Sequence, residues 1–136
     1  MARKKKINYT YAVGRRRSSS ARVRLFKGKG ENLVNDIPAL EYFPGVVNKV
    51  KFEEPFKLTD TSEKYYITVK VVGGGKQGQL DAVILGIART FNKINSEKFR
   101  PSLKSAGLLT RDARIRERRK VGTGGKARRK KQSPKR

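Results

Sequence analysis

The spacing of apolar residues changes several times along this chain, and each change marks an element. Tyr9, Tyr11 and Val13 alternate with Thr10 and Ala12, the two-residue period of a half-buried strand. After the polar stretch Gly14–Ser20 the alternation resumes, with Val23 and Leu25 directed inward and Arg22 and Arg24 outward. Together these segments predict a hairpin that displays Arg15, Arg16 and Arg17 at its bend. Gly28-Lys29-Gly30 marks another turn before a short strand at Leu33–Val34. Asp36 then suits the cap of a brief helix, with Pro38 near its first turn and Leu40, Tyr42 and Phe43 as its apolar residues. Pro44–Gly45 ends that helix, and Val46–Phe52 predicts a second short one.

The clearest strand is Tyr65–Val72, where Ile67, Val69 and Val71 share one face and Tyr66, Thr68 and Lys70 the other. Gly73-Gly74-Gly75 breaks it. Leu80, Val83, Ile84, Ile87, Ala88, Phe91 and Ile94 then follow helical spacing over four turns, leaving Arg89, Asn92 and Lys93 on the outer side. Past Pro101 the apolar supply fails, and nothing apolar larger than Ala follows Val121. Thr123–Arg136 holds too little apolar surface to offset its ordering entropy and is expected to be disordered in isolation.

These elements predict an α+β fold: one small domain, a sheet backed by helices, with a long basic C-terminal extension. The expected boundaries are a basic arm at 1–8, a globular domain at 9–107 and the extension at 108–136. Val23, Leu25, Ile67, Val69, Val71, Leu80, Val83, Ile84, Ile87 and Phe91 are the expected core. Tyr9, Tyr11, Phe26, Tyr42, Phe43, Tyr65 and Tyr66 are expected to be mostly core as well, and no aromatic strand motif for stacking RNA bases is present.

Charge changes the picture. The 136 residues carry 35 Lys and Arg against 11 Asp and Glu, a net +24. Residues 1–30 hold 11 basic and no acidic side chains, residues 31–100 hold 10 and 9, and residues 101–136 hold 14 and 2. A nearly neutral globule thus sits between two polycationic ends. Self-repulsion on that scale calls for a polyanion, with nucleic acid the leading partner and an anionic membrane the competitor. The membrane reading is weak. The longest apolar run, Ala82–Ala88, is far shorter than a span, and the basic tail has no apolar face to insert.

His, Cys and Trp are absent. That removes disulfides, ordinary zinc sites, and the commonest general base and strong nucleophile. No enzyme, cofactor, metal or small-molecule substrate is expected, and a Ser/Lys hydrolase is a poorly supported rival. With no secretory hydrophobic region after Met1–Lys6, a cytoplasmic location is expected.

Four segments are candidate RNA contacts. At the predicted bend, Arg15, Arg16 and Arg17 with the hydroxyls of Ser18, Ser19 and Ser20, and Arg22 and Arg24 nearby, can bind phosphate oxygens; the plainer reading is a solvated loop. Gly73–Gly78, carrying Lys76, precedes a helix N-terminus and lets backbone N–H groups approach an anion; a flexible turn explains it equally well. Neither this segment nor Gly122–Ala127 has the spacing of a nucleotide-binding loop. If residues 111–118 turn helically, Arg111, Arg114 and Arg118 form one stripe flanked by Arg116, Arg119 and Lys120, while Asp112 and Glu117 orient these arginines. The tail Lys126–Arg136 supplies seven more cations, among them Lys126, Arg128 and Arg129. A free-standing nucleic-acid chaperone would share these features without a fixed site.

Several of these segments also carry a family likeness. Tyr11–Val23 (YAVGRRRSSSARV) resembles the opening signature of the small-subunit ribosomal protein nine family. Leu40–Phe43 (LEYF), Thr68–Lys70 followed by Gly73–Gly75, Gly78-Gln79, Leu109–Gly122 (LTRDARIRERRKVG) and Lys126–Arg129 (KARR) follow in the family's order. The resemblance covers nearly the whole chain from about residue 8. It implies a fold like the second domain of ribosomal protein S-five, in the head of the small subunit among neighbouring head proteins, bound to 16S-type rRNA. It further implies that the tail reaches peptidyl-site tRNA, with Lys135 and Arg136 as the tRNA-facing pair. The tip departs from the family pattern: Gln132-Ser133-Pro134-Lys135-Arg136 lacks the usual aromatic, and Pro134 replaces a Ser, removing one backbone donor.

Overall fold

The computed structural model describes residues 9–115. Expectations for the basic arm, for Arg116, Arg118, Arg119, Lys120, Lys126, Arg128, Arg129, Pro134, Lys135 and Arg136, and for tail disorder lie outside the described residues.

Strands β1 (Tyr9–Arg16) and β2 (Ser19–Lys27) form the predicted hairpin, joined by Arg17 and Ser18. β2 pairs antiparallel with β5 (Tyr65–Val72), and β5 pairs in parallel with the two-residue strand β3 (Leu33–Val34). β4 (Ile37–Pro38) closes a five-stranded sheet of order β1-β2-β5-β3-β4. Helix α3 (Lys76–Ile94) crosses one face of β1 and β2, and α2 (Val46–Thr59) and α4 (Ser96–Ser105) pack against α3. α1 (Ala39–Tyr42) is a single turn after β4. The result is the expected α+β domain, and all ten expected core aliphatic and aromatic residues are buried.

The small β3 strand is lengthened by its flanking asparagines. Asn32 Oδ1 accepts from the Ile67 N–H at 3.0 Å. The Asn35 amide exchanges hydrogen bonds with the Val71 backbone at 2.9 and 3.0 Å. Asp36 does not cap a helix. It lies with Asn35 in a left-handed turn (φ 66° and 50°) that reverses the chain from β3 into β4, a conformation Asn and Asp tolerate better than most residues.

Three further expectations change. In β1 the buried positions are Ala12 and Gly14, while Tyr11 is 40% exposed. α3 lies too close to admit large side chains there. A Cβ on Gly14 would fall 1.8 Å from the Ala82 carbonyl oxygen, and one on Gly86 would fall 2.5 Å from Val23 Cγ2. Second, α2 runs seven residues beyond Phe52, through the buried Pro55. Burial of Phe52, Phe56 and Thr59 outweighs the roughly 3 kcal/mol that an interior proline costs.

Third, the pattern missed α4. Phe99 and Leu103 are fully buried one turn apart, and Phe99 meets the Phe91 ring edge-on at 5.5 Å. The Asn95 side chain caps this helix by accepting from Lys98 N–H at 3.1 Å. At its end Gly107 (φ 75°) forms a Schellman turn, with Leu108 N–H bonded to the Leu103 carbonyl and Gly107 N–H to that of Lys104, both at 3.0 Å. Leu108 and Leu109 then pack on the core, carrying the chain back toward the β1–β2 bend.

Candidate nucleic-acid interface

Strand parity sorts the basic residues of the hairpin. Residues 9, 11, 13 and 15 of β1 share a face with 20, 22, 24 and 26 of β2 and 66, 68, 70 and 72 of β5, and that face is opposite α3. Its cross-strand rows run Tyr9–Phe26–Tyr66, Tyr11–Arg24–Thr68, Val13–Arg22–Lys70 and Arg15–Ser20–Val72. Aromatic side chains expected in the core therefore border an open, basic surface. Phe26 stacks on Tyr66 at 5.1 Å, Tyr9 tilts against Phe26 at 5.6 Å, and the Arg24 guanidinium lies 5.1 Å from the Tyr9 ring centroid.

The centre of this face is electrostatically uncompensated. Arg22 stands directly opposite Lys70, and like charges at paired positions destabilise a sheet. Among the described residues no carboxylate lies within 4 Å of Arg15, Arg22, Arg24 or Lys70; Asp36 only borders the same depression at the β3 edge. The cross-strand register identifies Lys70 as part of the cluster. The sequence placed Lys70 on an outer strand face, but not beside Arg22.

Arg15, Arg16 and Arg17 have three different environments. Arg15 lies exposed on the open face, and Arg17 is exposed in the bend with φ 54°. Arg16 lies on the α3 side, its side chain only 12% exposed. Its Nη1 donates to the carbonyl oxygens of Asp112 (3.3 Å) and Arg114 (3.1 Å) and lies 3.0 Å from Asp112 Oδ1; its Nε lies 3.6 Å from Asp81 Oδ2.

The glycine-rich segment abuts the same bend. Gly73 and Gly74 have φ of 80° and 60°, and a Cβ on either would fall within 2.3 Å of Ser18 or Ser19 atoms. Ser19 Oγ donates to the Gly73 carbonyl at 3.1 Å, and Gln79 Nε2 donates to it at 3.0 Å. Lys76 opens α3 with its Nζ 3.2 Å from the Tyr42 ring centroid, and Tyr42 OH donates to Gln79 Oε1 at 2.6 Å. The turn is thus braced rather than loose, and it places Lys76 and the start of α3 at the same end of the molecule as Arg17 and Ser18.

Residues 111–115 are not helical. The carbonyls of Asp112 and Arg114 accept from Arg16, and the Asp112 carboxylate binds the Arg114 guanidinium at 2.6–3.0 Å and its backbone N–H at 3.1 Å. Of the predicted arginine stripe, Arg111 and Arg114 are exposed, and Arg118 lies outside the described residues. Hydrogen bonds from the Arg114 side chain and backbone, with the charges of Arg114 and Arg16 nearby, hold the Asp112 carboxyl well below the usual carboxylate range. The same pairing raises the Arg114 guanidinium further above its usual value.

Arg89 and Lys93, expected on the outer side of α3, instead reach the edge strand. Arg89 Nη1 donates to the Val13 carbonyl at 2.7 Å and Lys93 Nζ to that of Tyr11 at 2.5 Å. They cover backbone acceptors that an exposed edge would leave open to another chain. No described helix is long and apolar enough to cross a membrane.

A family model described as ribosomal protein S9/S16 matches residues 14–136. The chain is 50% identical over 113 residues to the small ribosomal subunit protein uS9 of Mesoplasma florum, covering 83% of this chain and 86% of that one. It is 44% and 46% identical over 111 residues to the proteins of the same name from Renibacterium salmoninarum and Leifsonia xyli. Those matches cover 82% of this chain and span 66% of each relative's length.

Proposed function

The chain belongs to the ribosomal protein S9/S16 family, and from that premise we propose that it is a structural constituent of the small ribosomal subunit that binds 16S-type rRNA in the subunit head and supports translation. The family is one of ribosomal structural proteins, not of enzymes. The observation that carries the RNA reading is the uncompensated open face, where Arg22 and Lys70 oppose each other beside Arg24 and Arg15. A phosphate backbone laid across it would turn a destabilising like-charge pair into a chelating one. Arg17, Ser18 and Lys76 extend the surface around the bend toward the N-terminus of α3, where backbone N–H groups and the helix dipole favour phosphate. Arg111 and Arg114 begin a second basic strip. Arg116, Arg118, Arg119, Lys120, Lys126, Arg128 and Arg129 continue it in sequence.

On this reading Lys135 and Arg136 reach peptidyl-site tRNA, neighbouring head proteins complete the site, and the protein works on cytoplasmic ribosomes. Support comes from the family and from the concentration of charge, 14 basic against 2 acidic residues after position 100.

The test is equilibrium binding to a 16S-type head fragment across a salt series. Replacing Arg22, Arg24 and Lys70 by Gln should weaken binding and reduce the slope of log K against log salt by about 0.7–0.9 for each phosphate left unneutralised. An unchanged slope would remove the sheet face from the interface. Deleting Lys135 and Arg136 should leave that binding and subunit assembly intact while weakening tRNA binding to the peptidyl site. The reverse result would overturn the assigned division of labour.

A further inference from the structure

Arg16 belongs to a run of three arginines, yet its environment is unlike that of a phosphate-binding side chain. It is 12% exposed, and one guanidinium nitrogen serves three acceptors on residues 112–114 while another faces Asp81. The three acceptors on residues 112–114 lie 96–98 positions away in sequence, near the C-terminal end of the described residues. Asp112 receives both Arg16 and Arg114, so it joins the body to the non-helical residues 111–115. Just upstream, the Schellman turn at Gly107 and the packed Leu108 form a second anchor. The segment between them is pinned at both ends.

Asp112 is also electrostatically out of place for a phosphate-binding strip. It is one of two acids after residue 100, and close to phosphate it would repel. Its position makes sense as the receiving half of a clamp. The planar guanidinium reaches two sides at once, with Nη1 directed at residues 112–114 and Nε at Asp81, a span that the single ammonium of a lysine cannot cover.

We propose that Arg16 is a positioning residue. With Asp112 it clamps the start of the C-terminal extension to the β1–β2 hairpin and so sets where the basic strip departs relative to the open sheet face. The role deepens the proposed RNA reading and rests on it for its purpose, but the clamp itself is a property of the free chain. Holding two basic surfaces at a fixed separation lets both engage one RNA without a second ordering cost, the logic of linked binding sites.

The absence of native cysteines permits a direct test on the full chain. Spin labels on Glu63→Cys and Ala113→Cys, both exposed positions, report the distance between body and extension. R16Q and D112N should each broaden that distance distribution, and R16K should broaden it too because it keeps the charge but loses the fork. Circular dichroism and the urea midpoint check that the body remains folded; D112N, at a partly exposed site, is the variant least able to disturb it.

RNA binding supplies the second readout. Removing a negative charge should tighten binding to a head rRNA fragment if Asp112 only modulates the field. The clamp predicts that D112N weakens binding several-fold with an unchanged salt slope, and that R16Q/D112N is no worse than R16Q alone. Unchanged distances together with equal or tighter binding by D112N would overturn the proposal. So would a reduced salt slope for R16Q without broadening, which would make Arg16 a phosphate ligand. If the unmodified chain fails to bind the fragment while both variants broaden the distances, the RNA reading falls and the clamp stands.

Discussion

The two faces of the β1–β2 hairpin are built on opposite rules. The face under α3 carries small residues, Ala12, Gly14 and Ala21, beside the larger Val23 and Leu25, because at Gly14 and Gly86 strand and helix approach closely. The open face one residue away carries Tyr9, Tyr11, Arg22 and Arg24, with no helix above them among the described residues. Burial dictates residue size on one side, while the other side carries charge that, on the proposed reading, an RNA partner neutralises. The contrast shows that a run such as Arg15-Arg16-Arg17 has no collective role: parity gives Arg15 to the surface and Arg16 to the interior, and the bend takes Arg17.

The contrast breaks most readily on the packed face. Gly14→Val should cost about 3 kcal/mol or more in urea unfolding, because the added carbons meet the α3 backbone, which cannot rotate away. A loss below about 1 kcal/mol would mean that α3 is not held so closely against the strand.

On the open face the expected effect is smaller and of opposite sign. Lys70→Gln removes the charge facing Arg22 and should stabilise the free protein by a few tenths of a kcal/mol up to about 1. The gain should shrink as salt is raised. A stability loss here would indicate that Lys70 has a structural partner.

The smallest effect concerns pH at the junction between the faces and the extension. The folded-state pKa of Asp112 is depressed, so its contribution is fully present above the unfolded Asp value of about 3.9 and disappears only as pH falls toward the lowered folded value. The label distance between residues 63 and 113 should therefore hold as pH drops from 7 to about 4. Broadening that begins near the ordinary carboxylate value would show that Arg114 and Arg16 do not hold this carboxylate.

Much of the architecture follows from periodicity. β2, β5 and α3 repeat their apolar residues often enough to declare both element and face, and the ten expected core residues are all buried. α4 was hidden because it has only Phe99 and Leu103 to signal with and a proline between them. α2 was cut short because Phe52, Phe56 and Thr59 gain their helical meaning only from the core they meet. β1 misled because its largest side chains lie on the solvent side, so size stood in falsely for burial. The basic character of the site was readable throughout; its membership was not. Lys70 joined through strand pairing, and the expected stripe at Arg111 and Arg114 gave way to carbonyls turned toward Arg16.

Properties that depend on neighbours along the chain are written in the amino-acid order: the α+β class, the main periodic elements, the absence of histidine and cysteine chemistry, and the polyanion-seeking charge. Folding settles which of the many basic groups are available to a partner. Lysines and arginines look alike in sequence. Their roles separate when a register places one beside a like charge and another beside a carboxylate 96 residues away. That pairing arises from chain segments brought together by the core, and no local pattern records it.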